Sequence, residues 1–354
     1  MPRTRSQNRD RLTRGLLFAA LTGTMEAAAL KRERQLRRAI AADPLSAQLR
    51  SRRRGHSQIT ISVDGTALHL ERCGPPEAPL FVLAHGWTER LDYWALVAAL
   101  LLEQGFQVAA FDLRGHGDSA AAASGDYRIE RFGEDIEAVL AALGAGEHRG
   151  PPTALVGHSL GAISIVSWAQ RHQVGRRVRA VALLNAGVGR LVAQSLLVPL
   201  PWLAQAVGRT RLAHGLLGSR ARLSHFPSAL AHAAIRYAAF GPDASPALVA
   251  FYERMLLACP PDVRAAVGLA LSDLELAHAL PRIDVPTLVL AGELDRLTPP
   301  SQAERIAHAL PRLERLLVLP GTGHMGPLER PAEVARALAE LALAAGLRSR
   351  PGAD

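Results

Sequence analysis

"LVGHSLGA", residues 155–162, is the stretch on which the reading of this chain turns. An apolar run bends through glycine, places one hydroxyl at the bend, and leaves through a second glycine. Either the glycines only punctuate a strand-to-helix junction, or Ser159 is a nucleophile held on a strained elbow. A serine hydroxyl is a weak nucleophile until a neighbouring base takes its proton. The second reading therefore demands partners elsewhere in the sequence.

Working outward, the run at 155–162 is one of several of its kind. "PLFVLAHG" (79–86), "FQVAAFDLRG" (106–115), "TALVGHS" (153–159), "RAVALLNAG" (179–187), "PTLVLAGELD" (286–295) and "RLLVLPGTGH" (315–324) are short and nearly continuously apolar. Strands buried on both faces of a parallel sheet have this composition. Helical patterns lie between them, at 92–104, 129–143, 160–173, 301–310 and 331–346. Ahead of them, "SQITISVDGTALHLERCG" (57–74) alternates apolar and polar residues on either side of Asp64–Gly65, a hairpin signal. Strand, helix, strand, repeated, predicts an α/β chain with a doubly wound, mostly parallel sheet of eight strands that opens with an antiparallel hairpin. In such a sheet ligands sit at the carboxyl ends of the strands. "AHGW", "DLRGHGDS", "GHSLG", "GELD" and "GTGH" should then all face one edge.

The alternation fails between Val188 and Leu280. Helix-like apolar segments such as "PALVAFYERMLLA" and "PDVRAAVGLALSDLELAHAL" replace buried strands there. We read 188–280 as a helical cap inserted into a core made of 57–187 and 281–346, with 347–354 as a tail. Residues 1–56 form a basic N-terminal extension. Of the 41 Lys+Arg and 32 Asp+Glu in the chain, residues 1–57 hold 14 and 4, so the net charge of +9 belongs to the arm and the body is near neutral. No aromatic-studded basic stripe appears in the body, which argues against a nucleic-acid partner. The apolar stretch "GLLFAALTGTMEAAAL" (15–30) is broken by Gly23 and Glu26 and is too short for a bilayer span of about 20 apolar residues. Three readings of the arm stay open: a loosely packed extension, an amphipathic segment on an anionic membrane surface, and a weak secretory signal. A cytoplasmic location is the expectation, with membrane association or export through the arm as alternatives. The oligomeric state is not legible. Cys73 and Cys259 have no metal or disulfide spacing and read as buried thiols.

The strand-end clusters contain what a serine hydrolase needs: hydroxyl, base, orienting carboxylate and oxyanion donors. Ser159 lies in G-x-S-x-G (157–161), where the glycines permit the tight turn and the following helix offers free N–H groups. The Leu160 N–H is one expected oxyanion donor and the Trp87 N–H the second. His324, after the last apolar run, is the expected base. Asp295, ending the preceding run, is the expected orienting acid, and Glu293 is a rival that strand alternation points away from the site.

Over about residues 57–346 the sequence resembles α/β-hydrolase fold enzymes with a lid domain. The residues that carry the resemblance are "HGW" (85–87), "DLRGHGDS" (112–119), "GHSLG" (157–161), "GELD" (292–295) and "GTGH" (321–324), in that order at strand ends. The resemblance implies an oxyanion segment at 85–87, the nucleophile at Ser159, and the acid and base at Asp295 and His324, the chain order Ser, Asp, His of that family. Trp87 is a departure, since smaller or Phe-like residues are frequent there, and the basic arm has no counterpart in the minimal fold.

The other histidines read as structural. His116 sits in a loop braced by Arg114 and Asp118, His158 points the wrong way for a base, and His85 shapes the oxyanion loop. His214, His225, His232 and His278 show no metal-ligand spacing. Neither a metal nor an organic cofactor is implied, and no dinucleotide fingerprint is present. The expectation is a serine hydrolase that cleaves a carboxylic ester or thioester of a lipophilic small molecule, the apolar cap suggesting an acyl chain. A cofactor-free perhydrolase of the haloperoxidase type, with the same three residues, is the first alternative. A non-catalytic α/β-hydrolase-like binding protein is the second.

Overall fold

A computed structural model describes residues 28–50, 55–148, 150–189, 191, 195, 215, 217–221 and 228–349. Eight strands form one sheet: β1 (His56–Ile61), β2 (Ala67–Cys73), β3 (Leu80–Ala84), β4 (Gln107–Phe111), β5 (Thr153–His158), β6 (Ala180–Leu184), β7 (Thr287–Gly292) and β8 (Leu313–Leu319). Their order is β1-β2-β4-β3-β5-β6-β7-β8. β2 runs antiparallel to β1 and to β4, and every other pair is parallel.

The apolar runs identified above are the central strands. β3, β4, β5, β6 and β7 are buried at every residue, whereas the edge strands β1 and β8 are largely exposed. Side chains alternate between two cores. Leu80, Val82, Leu155, Val181 and Leu183 point to one face, packed by helices Ile129–Ala142, Leu160–Ala169 and Pro300–Ala309. Phe81, Leu83, Ala154, Val156 and Ala182 point to the other, packed by Ala95–Glu103 and Pro331–Ala344. A period of two therefore works for both faces at once, which is why the runs show no polar alternation. The 92–104 pattern divides into a 3₁₀ turn, Leu91–Trp94, and a helix, Ala95–Glu103. The 160–173 pattern ends its helix at Ala169.

Among the described residues, 188–280 carries three long helices: Ala229–Ala239, Pro246–Ala258 and Pro261–Ser272. It leaves and rejoins the sheet at adjoining points, because Gly189 bridges Glu275 and the Leu276 N–H donates to Val188 O at 2.6 Å. Its helices lie against the loops after three strands. A Cβ at Gly268 would stand 3.0 Å from the Trp87 ring, and one at Gly115 would stand 2.8 Å from Val263. The third contact is the Ala239 carbonyl, which accepts the His324 N–H at 2.8 Å.

Part of the N-terminal extension docks on this insertion. Residues 28–42 are helical, followed by Leu45–Arg50. Glu33 accepts the Ala229 N–H at 2.9 Å and Asp43 accepts the Ala247 N–H at 3.2 Å. Two carboxylates thus meet the N-terminal first turns of two inserted helices, where backbone N–H groups lack partners and the dipole favours negative charge. Residues 1–27, the cap segments 192–194, 196–214 and 222–227, and with them His214 and His225, lie outside the described residues.

Candidate active site

The elbow is strained as its sequence predicts. Ser159 joins β5 to the helix Leu160–Ala169 at φ 49°, ψ −113°, a conformation that a residue with a side chain rarely adopts. Both flanking glycines are required by close approach. A Cβ at Gly157 would lie 2.4 Å from Ala162 N, and one at Gly161 would lie 2.2 Å from Ala84 O. The Ser159 N–H is held by Leu184 O at 2.9 Å. Serine at a helix N-cap ordinarily accepts a hydrogen bond from the first turn. Ser159 does not, so its half-buried hydroxyl is not spent on the helix.

The loop after β3 is held just as tightly. The Gly86 N–H donates to Glu89 Oε2 at 2.5 Å, the Thr88 N–H to His116 Nε2 at 3.3 Å, and the Glu89 N–H to Gly86 O at 3.3 Å. Of these four successive N–H groups, only that of Trp87 has no acceptor among the described residues. Two buried histidines shape this loop and are neutral by their hydrogen bonding. His85 donates from Nδ1 to Gly86 O and accepts the Leu113 N–H at Nε2. His116 donates from Nδ1 to Arg114 O, and its burial, with His85 nearby, pulls it down to about 4.

Asp295 and His324 meet, with Nδ1 and Oδ2 2.8 Å apart. Asp295 is buried and fully engaged. Oδ1 accepts the Leu297 and Thr298 N–H groups, each at 2.9 Å, and Oδ2 accepts Asn185 Nδ2 at 3.1 Å and Thr298 Oγ1 at 2.9 Å. Burial pushes its pKa up, but the His324 charge and these donors outweigh it and hold the carboxyl below its usual value. Burial likewise pulls His324 down, yet Asp295, with Glu89 and Glu329 behind it, leaves the imidazole above its usual value. The elbow and the histidine loop touch. His158, beside Ser159, places Nε2 2.9 Å from His324 O, and the two rings are 5.0 Å apart.

The residues that match the model of the α/β hydrolase fold run from 79 to 331, spanning these loops, the elbow and the whole insertion. The chain belongs to the α/β-hydrolase fold family. It is 29% identical over 267 residues to a non-heme haloperoxidase of Rhodococcus erythropolis, covering 75% of this chain and 92% of that one. It is 27% identical over 265 residues to a bifunctional esterase/perhydrolase of Acinetobacter calcoaceticus, covering 75% and 91%. A thermophilic esterase from Thermogutta terrifontis shares the fold at a TM-score of 0.67 and 21% identity, over 82% of this chain and 99% of that one.

Within this α/β hydrolase, several side chains differ from their sequence reading. Arg114 does not brace the loop after β4 together with Asp118. It is buried and forks onto Asp135 at 2.6 and 2.7 Å, with Asp64 of the hairpin turn at 2.8 Å. Asp118 is exposed and pairs with Arg90. The carboxylate that braces the loop is Asp112, which accepts the Leu91 and Asp118 N–H groups at 2.7 and 2.9 Å. Cys259 is buried and its thiol is pushed up to about 12, but Cys73 is only half-buried. Glu293 is exposed and accepts the Gly321 N–H. Asn185, Thr298 and Glu329 were not singled out from sequence. Glu329 accepts the Gly241 and Gly323 N–H groups at 2.7 and 3.0 Å, and burial pushes it up to about 7. Asn185, at φ 47° after β6, offered the one visible signal, a polar residue ending an apolar run.

Two clusters outside this region resemble sites. Ser57 Oγ lies 3.0 Å from His69 Nε2, and His69 Nδ1 lies 3.1 Å from Asp112 Oδ2. Ser57 sits on the regular edge strand β1, without an elbow or a helix N-terminus beside it. His69, Asp112 and Asp118 bring three ligand-type atoms within 4.8 Å of one another. Both Asp112 oxygens already accept backbone N–H groups there.

Proposed function

We propose that this α/β hydrolase is a serine carboxylic-ester hydrolase. The observation that carries the reading is Ser159 itself, strained at φ 49° on a glycine-flanked elbow with a hydroxyl that caps no helix. Strain of this kind persists where a function requires it. In the proposed reaction His324 takes the Ser159 proton as the oxygen attacks the ester carbonyl. The N–H groups of Trp87 and Leu160 receive the developing oxyanion, and Asp295 fixes the imidazole tautomer and stabilises the imidazolium. His324 then protonates the leaving alcohol. Water, deprotonated by His324, attacks the acyl carbonyl, and His324 returns that proton to the Ser159 oxygen as its bond to the acyl carbon breaks and the acid leaves.

A lipophilic acyl or alcohol group suits the apolar insertion that lies against Trp87 and the His324 loop. Epoxide or haloalkane hydrolysis fits poorly, because the family members that perform it carry aspartate where Ser159 stands. Similarity to a haloperoxidase and to an esterase/perhydrolase favours one second reading, in which peroxide replaces water in deacylation. A panel of ester chain lengths, each assayed with and without hydrogen peroxide, tests both. Ser159→Ala is expected to lower turnover by at least about 10³-fold in either reaction. Unchanged turnover in that variant removes Ser159 from both readings, and a wild type inert toward every ester, with or without peroxide, leaves a binding protein.

Association with a membrane surface through the arm is a refinement of the same proposal. Removing residues 1–27 is expected to weaken binding to anionic liposomes while soluble-ester turnover persists. Unchanged liposome binding removes the refinement.

A further inference from the structure

Two buried groups stand outside the proposed chemistry and yet touch both halves of it. Glu89 lies in the loop after β3 with its side chain 1% exposed. Its Oε2 accepts the Gly86 N–H at 2.5 Å, and its two oxygens lie 3.1 and 3.2 Å from His158 Nδ1. The other ring nitrogen, Nε2, faces the His324 carbonyl at 2.9 Å. A carbonyl only accepts, so Nε2 carries a proton. Nδ1 faces a carboxylate, so one further proton lies between them, on the ring or on the acid. The pair is neutral either way, which is how a carboxylate and an imidazole are buried together without an uncompensated charge. Tyr93 stacks on the His158 ring at 4.6 Å. Gly86 leaves the room, since a Cβ there would lie 2.9 Å from both Glu89 Oε1 and His158 Nδ1.

We infer that Glu89 and His158 act as one positioning unit that holds the oxyanion loop and the His324 backbone in register across the elbow. The inference rests on the hydrolytic reading above. Glu89 fixes Gly86, the residue before the Trp87 N–H. His158 fixes the carbonyl of His324, from whose Cα the imidazole projects. Neither needs to touch substrate. Their effect falls on groups that must be aligned in the transition state, where a displacement of about 1 Å can cost roughly 100-fold in rate. Loss of the unit should therefore lower kcat far more than it raises KM.

Steady-state kinetics on an ester that the wild type turns over, with thermal unfolding of each variant, test the unit. Glu89→Ala and His158→Ala are each expected to lower kcat at least about 10-fold with KM within about threefold. The double variant should cost no more than about threefold beyond the worse single one, as for residues acting together. Glu89→Gln is the conservative rescue. Its amide oxygen accepts the Gly86 N–H, its N–H donates to a neutral His158 Nδ1, and the Nε2–H stays on His324. Its kcat should return to within about threefold of wild type.

Three results would each overturn the unit: Glu89→Ala within twofold of wild type, losses that multiply in the double variant, or Glu89→Gln no better than Glu89→Ala. Should Glu89→Ala fail to fold, His158→Gln, which keeps an N–H for the His324 carbonyl, is compared with His158→Ala. A tenfold advantage for glutamine supports the unit, and equality overturns it. A wild type inert toward every ester and toward a fluorophosphonate defeats the hydrolytic reading as well, whereas an active wild type with insensitive variants defeats this inference alone.

Discussion

Ser159 and His324 differ in how the fold treats them. The serine is strained in its backbone, while the histidine is shifted in its charge. Burial opposes protonation of His324, but the Asp295 carboxylate at 2.8 Å prevails and raises its pKa. An imidazole must be neutral to accept a proton. The acid limb of kcat/KM should therefore lie above the ordinary histidine value of about 6.5. Asp295→Asn should move that limb down and lower kcat by roughly 10³- to 10⁴-fold, because the wrong tautomer is then favoured. A pH–rate profile of the two proteins checks this, and an unmoved limb would contradict it. Stability follows the same shifts with a definite sign. Glu329 rises from 4.5 to about 7 in the folded chain, so the native state holds its proton longer than the unfolded state does. That contribution is complete below about 4.5 and lost as pH rises through about 7, and His324 adds loss of the same sign. Glu329→Gln should flatten the fall in unfolding free energy between pH 5 and pH 8, measured by urea denaturation.

Legibility at single residues depended on whether the signal was local. Ser159, Asp295 and His324 each end an apolar run, and Asp295 and His324 are in contact. Glu89 and Thr298 carry no such mark, because contacts of Glu89 with a residue 69 positions away have no local pattern. Asp112 and Asp118 lie in one motif, and only their side-chain directions tell which of them braces the loop.

Strands and helices were easier to read than their ties to one another. Five central strands are apolar throughout because both of their faces are covered, and that composition is visible in one dimension. The strand β8 was found from "LLVL" alone, since its first three residues, Leu313–Arg315, are exposed and two of them are charged. The close approach of β3 to the elbow rests on Gly161, where a Cβ would meet Ala84 O at 2.2 Å. Gly161→Ala should force the helix from the strand, lowering stability by about 1–3 kcal/mol and abolishing turnover. Full activity in that variant would show that the elbow tolerates a wider gap. Arg114 ties three elements, since its guanidinium joins the hairpin turn at Asp64 to Asp135 on the helix Ile129–Ala142. Arg114→Met leaves Asp135 buried and unpaired, a loss expected to be about 3–5 kcal/mol in chemical denaturation. A loss below about 1 kcal/mol would mean that Asp135 takes up a proton without strain.

Across the full chain, the arm and the insertion are coupled in a way that composition hides. The arm's excess of arginine drew attention to partners outside the molecule, yet two of its four acidic residues, Glu33 and Asp43, cap inserted helices. Glu33→Ala with Asp43→Ala should lower stability by about 0.5–2 kcal/mol per cap. Unchanged unfolding would mean that the arm rests on the insertion without holding it. The insertion in turn holds the His324 loop through Ala239 O. The fold, a mostly parallel eight-stranded sheet with flanking helices, was legible because repeated strand–helix alternation is itself a pattern, whereas the order of the strands across the sheet was not. The docking of the arm was not, because it depends on two carboxylates meeting helix ends about 200 residues away.

The folded protein contains two hydroxyls that face this question differently: Ser159 on its elbow, and Ser57 hydrogen-bonded to His69. Reaction with a fluorophosphonate, followed by peptide mapping of the phosphonyl adduct, separates them. One adduct is expected, on Ser159, absent from His324→Ala. An adduct on Ser57, or none on the folded wild type, would contradict the assignment of Ser159 as the nucleophile.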